Sequence, residues 1–348
     1  VTTIADVARM ANVSVSTVSH VVNGTKRVSD GTRSRVEEAI RDSNFTPHQV
    51  ARSLRSGRTR SVGLVVSDTS QYIFGRIIAE VEQGIRSAGQ TLLLANSSED
   101  REQEKTVVRA LLANRVDGLI IAPVADSDPV IFEWCDRAGV PVVLIDRTPD
   151  PGRDQVGIDN WSTTQRLTRH LIGIGHTNIA LIAGDPGVWT IHERTLAFRE
   201  TMRAAGLRVG PASVLDTGRG LVDGREQIER FLARKRRPTA IMAASGLLAL
   251  GALRAFRNLG MQIPRDIAFA SFDLVMNAEF FDPKLTSVLY PVDVIGREAT
   301  ALLQRRLADP DVPPQTIQAP GSLFHGTSCG CPDGAPLVLS PVDGAPHR

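Results

Sequence analysis

The sequence predicts a small all-α helix-turn-helix head joined to a two-lobe α/β body made of two parallel, doubly wound sheets. Three observations carry this reading. Residues 3–22, TIADVARMANVSVSTVSHVV, have the spacing of two short helices around a tight turn. Beyond residue 60, seven apolar runs alternate with amphipathic helical segments, the pattern of strands covered on both faces. The charge is also divided. Residues 1–60 hold ten Arg and Lys against five acids, net +5, while the remainder of a chain with formal charge +2 carries −3. A basic head on a mildly acidic body is the electrostatic footprint of a nucleic-acid reader attached to something else.

The head explains itself residue by residue. Thr3 and Asp6 form a capping box for the first helix, Ala11-Asn12-Val13 make the turn, and Ser14 caps the second helix. Val7, Ala8, Val18, Val21 and Val22 can share a small core, which leaves Val15, Ser16, Thr17, Ser19 and His20 facing outward. A solvated surface helix more often carries Glu and Lys than Ser, Thr and His, so this face suits entry into a DNA major groove. A third helix is expected over about Thr32–Ser43, with Val36, Ala39 and Ile40 facing the other two and Phe45 closing the core. Thr46-Pro47 starts a fourth short helix, PHQVARSLR, followed by the basic linker Ser56–Arg60.

The body follows as VGLVV (62–66), TLLLAN (91–96), DGLIIAP (117–123), PVVLID (141–146), NIALIAG (178–184), AIMAAS (240–245) and AFASFD (268–273). These are more strands than one compact sheet usually holds, so two lobes are expected, with crossings near Gly157–Asn160 and Thr286–Pro291. Ligands of such sheets bind beyond the carboxyl ends of the strands. The boundaries read as a head over 1–46, a hinge helix and linker over 47–60, and a body over 61–331. One lobe takes about 61–159 and 291–319, the other about 160–290 and 320–331; 332–348 is a loosely ordered Gly/Pro tail.

Other classes are disfavoured by what the residues lack. No basic-then-apolar run opens the chain, and no stretch approaches the about eighteen apolar residues of a membrane span. A cytoplasmic protein with no membrane partner is therefore expected. Three cysteines are too few for a disulfide framework. Cys329-Gly330-Cys331 suggests a metal or redox pair, but zinc sites usually use wider spacing and four ligands, which favours an incidental pair and no metal site. No G-x-S-x-G elbow, P-loop or H-E-x-x-H motif appears, so neither catalytic residues nor a cofactor are expected. Arg234-Lys235-Arg236-Arg237 reads as a solvated helix end.

TIADVA, ANVSVSTVSHVVNG, RVSDGTRSRVEEAI, FTPHQVARSLRSGRTRSVGLVV and PRDIAFASFD closely resemble the lactose repressor/galactose repressor (LacI/GalR) family of bacterial transcription regulators. The resemblance covers residues 2–331 and is nearest to the purine-repressor type of head. The body alone would be shared with periplasmic sugar-binding proteins. The resemblance implies a homodimeric, or higher-order, effector-controlled regulator, most simply a repressor, that binds a near-palindromic operator at the bacterial nucleoid.

It further implies that Val15, Ser16 and His20 read base edges, with Thr17 and Ser19 near phosphates and Thr3 and Asn23 in the same interface. Leu54 would wedge into the minor groove beside Ala51 and Arg55. Without the resemblance, Leu54 reads as a core or interface residue. The implied effector cleft, for a sugar, sugar acid or related metabolite, carries Tyr72, Phe74, Asp146, Trp189, Arg194, Arg219, Ser245 and Asp273. An Arg fork and carboxylates at strand ends can hold a polar ligand by charge-assisted hydrogen bonds, although each could equally be a surface ion pair or helix cap. Two departures from the family pattern matter: Ser245-Gly246 stands where Asn-Asp is usual, and Leu274 where a second acid is common. With Arg219 in place of an aromatic, they tilt the expected effector towards an anion. A solute-binding protein and an enzyme on the same scaffold are the rival readings.

Overall fold

The computed structural model describes residues 2–23, 26–43, 58–218, 221–273 and 282–331. The chain divides into two compact units, Val1–Thr59 and Arg60–Arg348. The expected hinge helix, with Ala51, Leu54 and Arg55, lies outside the described residues, as do Phe45, Arg219, Leu274 and the 332–348 tail.

The first unit contains α1 (Ile4–Met10), α2 (Val15–Asn23) and α3 (Asp30–Ser43). Thr3 caps α1 reciprocally with Asp6: the Thr3 hydroxyl accepts from the Asp6 N–H at 3.3 Å, and the Asp6 carboxylate accepts from the Thr3 N–H at 2.9 Å. Asn12 takes a left-handed φ of 52° in the turn, a conformation Asn tolerates better than most residues. Ser14 then accepts from the Thr17 N–H at 3.1 Å at the start of α2. Val7, Ala8, Ala11, Val18, Val36 and Ala39 form the buried core, backed by Ile4, Val13, Val21, Val22 and Ile40.

The second unit is built on two six-stranded sheets. The first is ordered β11-β5-β4-β3-β1-β2, from Thr316–Ala319, Asp154–Ile158, Val142–Ile145, Gly118–Ile121, Ser61–Val66 and Thr91–Asn96, all parallel. The second is ordered β12-β10-β9-β8-β6-β7, from Ser322–Phe324, Thr286–Leu289, Ala268–Phe272, Ala240–Ala243, Ile179–Ile182 and Val214–Leu215. Among the described strands only β12 runs antiparallel, pairing with β10. All seven apolar runs of the sequence are strands. The five others, β5, β7, β10, β11 and β12, are short or polar and gave no comparable apolar signal.

Side chains alternate across these strands. In the first sheet Val65, Leu119, Ile121 and Leu144 face α5 (Arg101–Ala113) and α6 (Val130–Ala138), meeting Val108, Leu111, Ile131 and Cys135. Leu64, Ile120, Val143 and Ile145 turn to the opposite face, against α4 (Tyr72–Ser87) and α11 (Val292–Ala308). Helices α4 and α11 approach closely because position 296 is glycine: a Cβ there would sit 2.3 Å from the Glu80 Cβ. Buried Asp154 ties α11 to the sheet, accepting from Arg305 at 3.0 Å and Arg306 at 2.9 Å. The second sheet is covered by α7 (Asn160–Gly173) and α8 (Trp189–Ala204) on one face. On the other lie α9 (Leu221–Leu232) and α10 (Gly246–Asn258), with Phe256 edge-to-face on Phe269 at 5.5 Å.

Among the described residues the chain passes between the two sheets three times: from β5 into α7, from β10 into α11, and from β11 to β12. The third passage, between Ala319 and Ser322, falls at the lobe boundary expected near residues 319 and 320.

Candidate DNA-reading face and effector cleft

Within the head, α2 buries Val18 and keeps Val15, at 46% exposure, and Ser16 in solvent, with Thr17, Ser19 and His20 half-buried. Ser14 bonds both Ser16 and Thr17 hydroxyls at 2.8 Å, which fixes the polar start of the helix. A shallow concavity of about 490 Å³ opens there, lined among others by Ser14, Thr17, His20, Lys26 and Arg27. The arrangement combines hydroxyl donors and acceptors with two cations at a helix N-terminus, a surface suited to phosphate oxygens and base edges.

In the body, the expected ligand residues stand at the carboxyl ends of strands. Asp146 follows β4 and Asp273 follows β9, and both take left-handed backbone conformations, φ 64° and 63°. Such non-glycine positions cost conformational energy and turn the side chain out of the strand direction. Gly157 permits the first of these turns: a Cβ there would lie 2.9 Å from the Asp146 carbonyl oxygen. Tyr72 opens α4 after β1, Trp189 opens α8 after β6, and Ser245 caps α10 after β8, accepting from the Leu248 N–H at 3.4 Å.

Arg194 is buried, at 2% exposure, one turn into α8. Its Nε donates to the Asn160 side-chain oxygen at 2.7 Å and its guanidinium donates to the Ala244 carbonyl at 2.5 Å. The Asp273 carboxylate lies 3.8 Å away and the Phe272 ring lies 4.0 Å below the guanidinium. Burial raises the Asp273 pKa to about 7, against the pull of Arg194 and with a push from Asp146. Its Oδ1 is buried without a hydrogen-bond partner among the described residues, and so is Nε1 of Trp189. The Tyr290 hydroxyl, at the end of β10, crosses to donate to Asp146. Burial and neighbouring Asp146 push that hydroxyl well above its ordinary pKa, so it remains a donor. Arg147 next door is paired with Glu99 and donates to the Pro123 carbonyl at 2.8 Å.

Asp146, Asp273 and Arg194 are thus brought electrostatically together, with Tyr290 as a member that sequence reasoning missed. Phe74 departs from the expectation. At 1% exposure it packs with Ile73, Ile77 and Val81 in the core, because its position on α4 faces the sheet; only Tyr72 of that pair, at 41%, keeps an open ring. Around the two sulfurs of Cys329 and Cys331 gather His170 and His325. Arg234–Arg237 lie exposed in the turn after α9. No described helix is long and apolar enough to cross a membrane.

Residues 3–48 match the family described as bacterial regulatory proteins, lacI family, and residues 168–329 match the periplasmic binding protein-like domain. The HTH-type transcriptional repressor PurR of Aliivibrio fischeri is 33% identical over 312 residues, 89% of this chain and 93% of that one. The chain belongs to the LacI family. The PurR repressor of Haemophilus influenzae is 32% identical over 309 residues, covering 89% and 92% of the two chains. Among solved structures, the Lac repressor dimer bound to operator and the anti-inducer ONPF superposes with a TM-score of 0.84 at 26% identity, covering 94% of this chain and 99% of that one. A complex of the transcriptional regulator CelR with cellobiose gives 0.71 at 30%, covering 94% and 100%. The LacI-family chain is accordingly a DNA-binding transcriptional regulator controlled by a small-molecule effector, and its relatives are repressors rather than enzymes.

Proposed function

We propose that this regulator is a cytoplasmic homodimeric repressor in which each head reads one half of a near-palindromic operator. Val15, Ser16 and His20 are assigned to base edges. Thr3, Thr17, Ser19 and Asn23 are assigned to the surrounding backbone contacts, and Ala51, Leu54 and Arg55 to the minor groove at the operator centre. The observation that carries the DNA reading is the open polar face of α2 beside Lys26 and Arg27. Selection from a randomised duplex pool should enrich an inverted repeat, and Ser16→Ala or His20→Ala should relax one position of each half-site by about 1–3 kcal/mol. Enrichment of no symmetric sequence overturns the reading.

The effector is assigned as a hydroxyl-rich molecule, a sugar or sugar derivative, bound between the strand ends. Buried Asp273 Oδ1 and Trp189 Nε1 offer an acceptor and a donor with no partner of their own among the described residues. Asp146, Tyr72 and Ser245 complete the polar lining. Arg194, by contrast, already serves Asn160, Ala244 and Asp273. A preference for anionic sugars would therefore rest on Arg219. Calorimetric titration with neutral sugars, sugar acids and phosphorylated sugars separates these. Binding of neutral sugars supports the carboxylate-centred cleft, binding of acidic ones alone transfers recognition to Arg219, and binding of no saccharide rejects the assignment.

A further inference from the structure

Four side chains with metal-binding chemistry, none of them assigned to the strand-end cleft, converge in the second lobe. His170 lies in the last turn of α7, His325 directly follows β12, and Cys329 and Cys331 flank a glycine with left-handed φ of 88°. That turn at Gly330 folds the short segment so that its two sulfurs lie 3.1 Å apart, and both are free thiols. His170 Nε2 is 3.3 Å from the Cys329 sulfur and 3.6 Å from that of Cys331. His325 Nε2 is 3.5 Å and 2.8 Å from the same two sulfurs. All four ligand atoms fall within 4.8 Å of one another.

These edges can be set against a real site. Zn–S bonds of about 2.3 Å and Zn–N bonds of about 2.0–2.1 Å at tetrahedral angles require N···S edges near 3.6 Å and an S···S edge near 3.8 Å. Three of the four N···S edges are within about 0.3 Å of that; the fourth and the S···S edge need an outward shift of less than about 1 Å, and the two imidazole nitrogens, within 4.8 Å of each other, need an inward shift of up to about 1.5 Å. The surroundings are also those of a closed site. Cys329 is fully buried, its carbonyl is approached by His176 Nε2 at 3.3 Å, and His176 is held in turn by the Thr239 hydroxyl at 3.1 Å. The two ligand imidazoles stand edge-to-face, 4.5 Å between centroids.

We propose that His170, His325, Cys329 and Cys331 form a tetrahedral structural zinc site. Two thiolates and two imidazoles are the donor set that selects zinc over hard cations, and four protein ligands leave no position open for catalysis. Three ligands come from the segment after β12 and one from α7. A bound ion therefore pins the last strand and the chain beyond it to the helix whose opposite end presents Asn160 to Arg194. Its binding free energy becomes folding free energy of the second lobe.

The test uses tag-free, full-length protein kept reduced with a non-chelating reductant. Elemental analysis should find about one zinc per chain after exhaustive dialysis. Titration of the metal-free protein with cobalt alone should give the intense visible bands of a tetrahedral centre together with a thiolate-to-cobalt charge-transfer band. A chelator should lower the Tm of the wild type and leave that of Cys331→Ser unchanged, because half-buried Cys331 can be replaced without opening the core. Cobalt titration of the unmutated chain does not depend on any variant folding. Absence of stoichiometric zinc together with a featureless cobalt titration overturns the proposal. So does recovery of Cys329 and Cys331 as a disulfide when thiols are trapped at lysis.

Discussion

The two lobes meet their ligand-side solvent with the same device and complete it in opposite ways. Each ends a central strand in an aspartate held at φ near 64°, Asp146 in one lobe and Asp273 in the other. Asp146 receives the hydroxyl of Tyr290, reaching over from the second lobe. Asp273 faces Arg194 at 3.8 Å, too far for a good hydrogen bond, and keeps one buried oxygen unpartnered among the described residues. One carboxyl group is therefore satisfied within the protein while the other keeps a buried oxygen without a partner among the described residues. Equivalent backbones in two related sheets do not imply equivalent roles; the partner of each side chain decides.

The largest effect that could break this contrast is expected from Arg194→Ala. It strands Asp273, the Asn160 oxygen and the Ala244 carbonyl, and should cost about 3–5 kcal/mol in urea unfolding as well as the effector response. A stable, fully responsive variant would show that Arg194 does not organise the cleft. Next comes the pH dependence of Asp273. Folded Asp273 keeps its proton up to about pH 7, against an ordinary value of 3.8. Between those values the folded chain binds more protons than the unfolded one, so this group makes stability fall as pH rises from about 4 to about 7. Asp273→Asn should remove that slope, up to about 4 kcal/mol, and unfolding curves at pH 5 and pH 8 would read it directly.

Tyr290→Phe should cost about 1–3 kcal/mol by leaving the Asp146 oxygen without its donor. If instead the loss is negligible, the two aspartates are more alike than their partners suggest. The smallest change sharpens the lining: Ser245→Ala should lose about 0.5–1 kcal/mol of cap stability. A matching loss of effector affinity in calorimetry would promote Ser245 from helix cap to ligand contact.

The extent to which these features were legible from residues alone follows from distance along the chain. Thr3 and Asp6 announce a cap because they are three residues apart and the helix does the rest. Asp146 and Asp273 announce themselves by closing apolar runs, PVVLID and AFASFD, whose strands point at the cleft. Tyr290 could not be paired with Asp146 from periodicity, since 144 residues separate them and the contact exists only once two sheets are built. The same holds for the histidines around Cys329 and Cys331: His170 lies 159 residues upstream of Cys329. Phe74 misled for a different reason: the resemblance implied it in the cleft with Tyr72, whereas its phase on α4 turns it into the core.

The three passages of the chain between the sheets have a mechanical consequence. A single tether would let one lobe tumble freely against the other; three tethers side by side resist twisting and sliding, and leave bending about the line they share as the soft coordinate. A ligand bound as proposed between Asp146 and Asp273 would have essentially one movement to bias, and little of its binding free energy would be spread over motions that carry no signal.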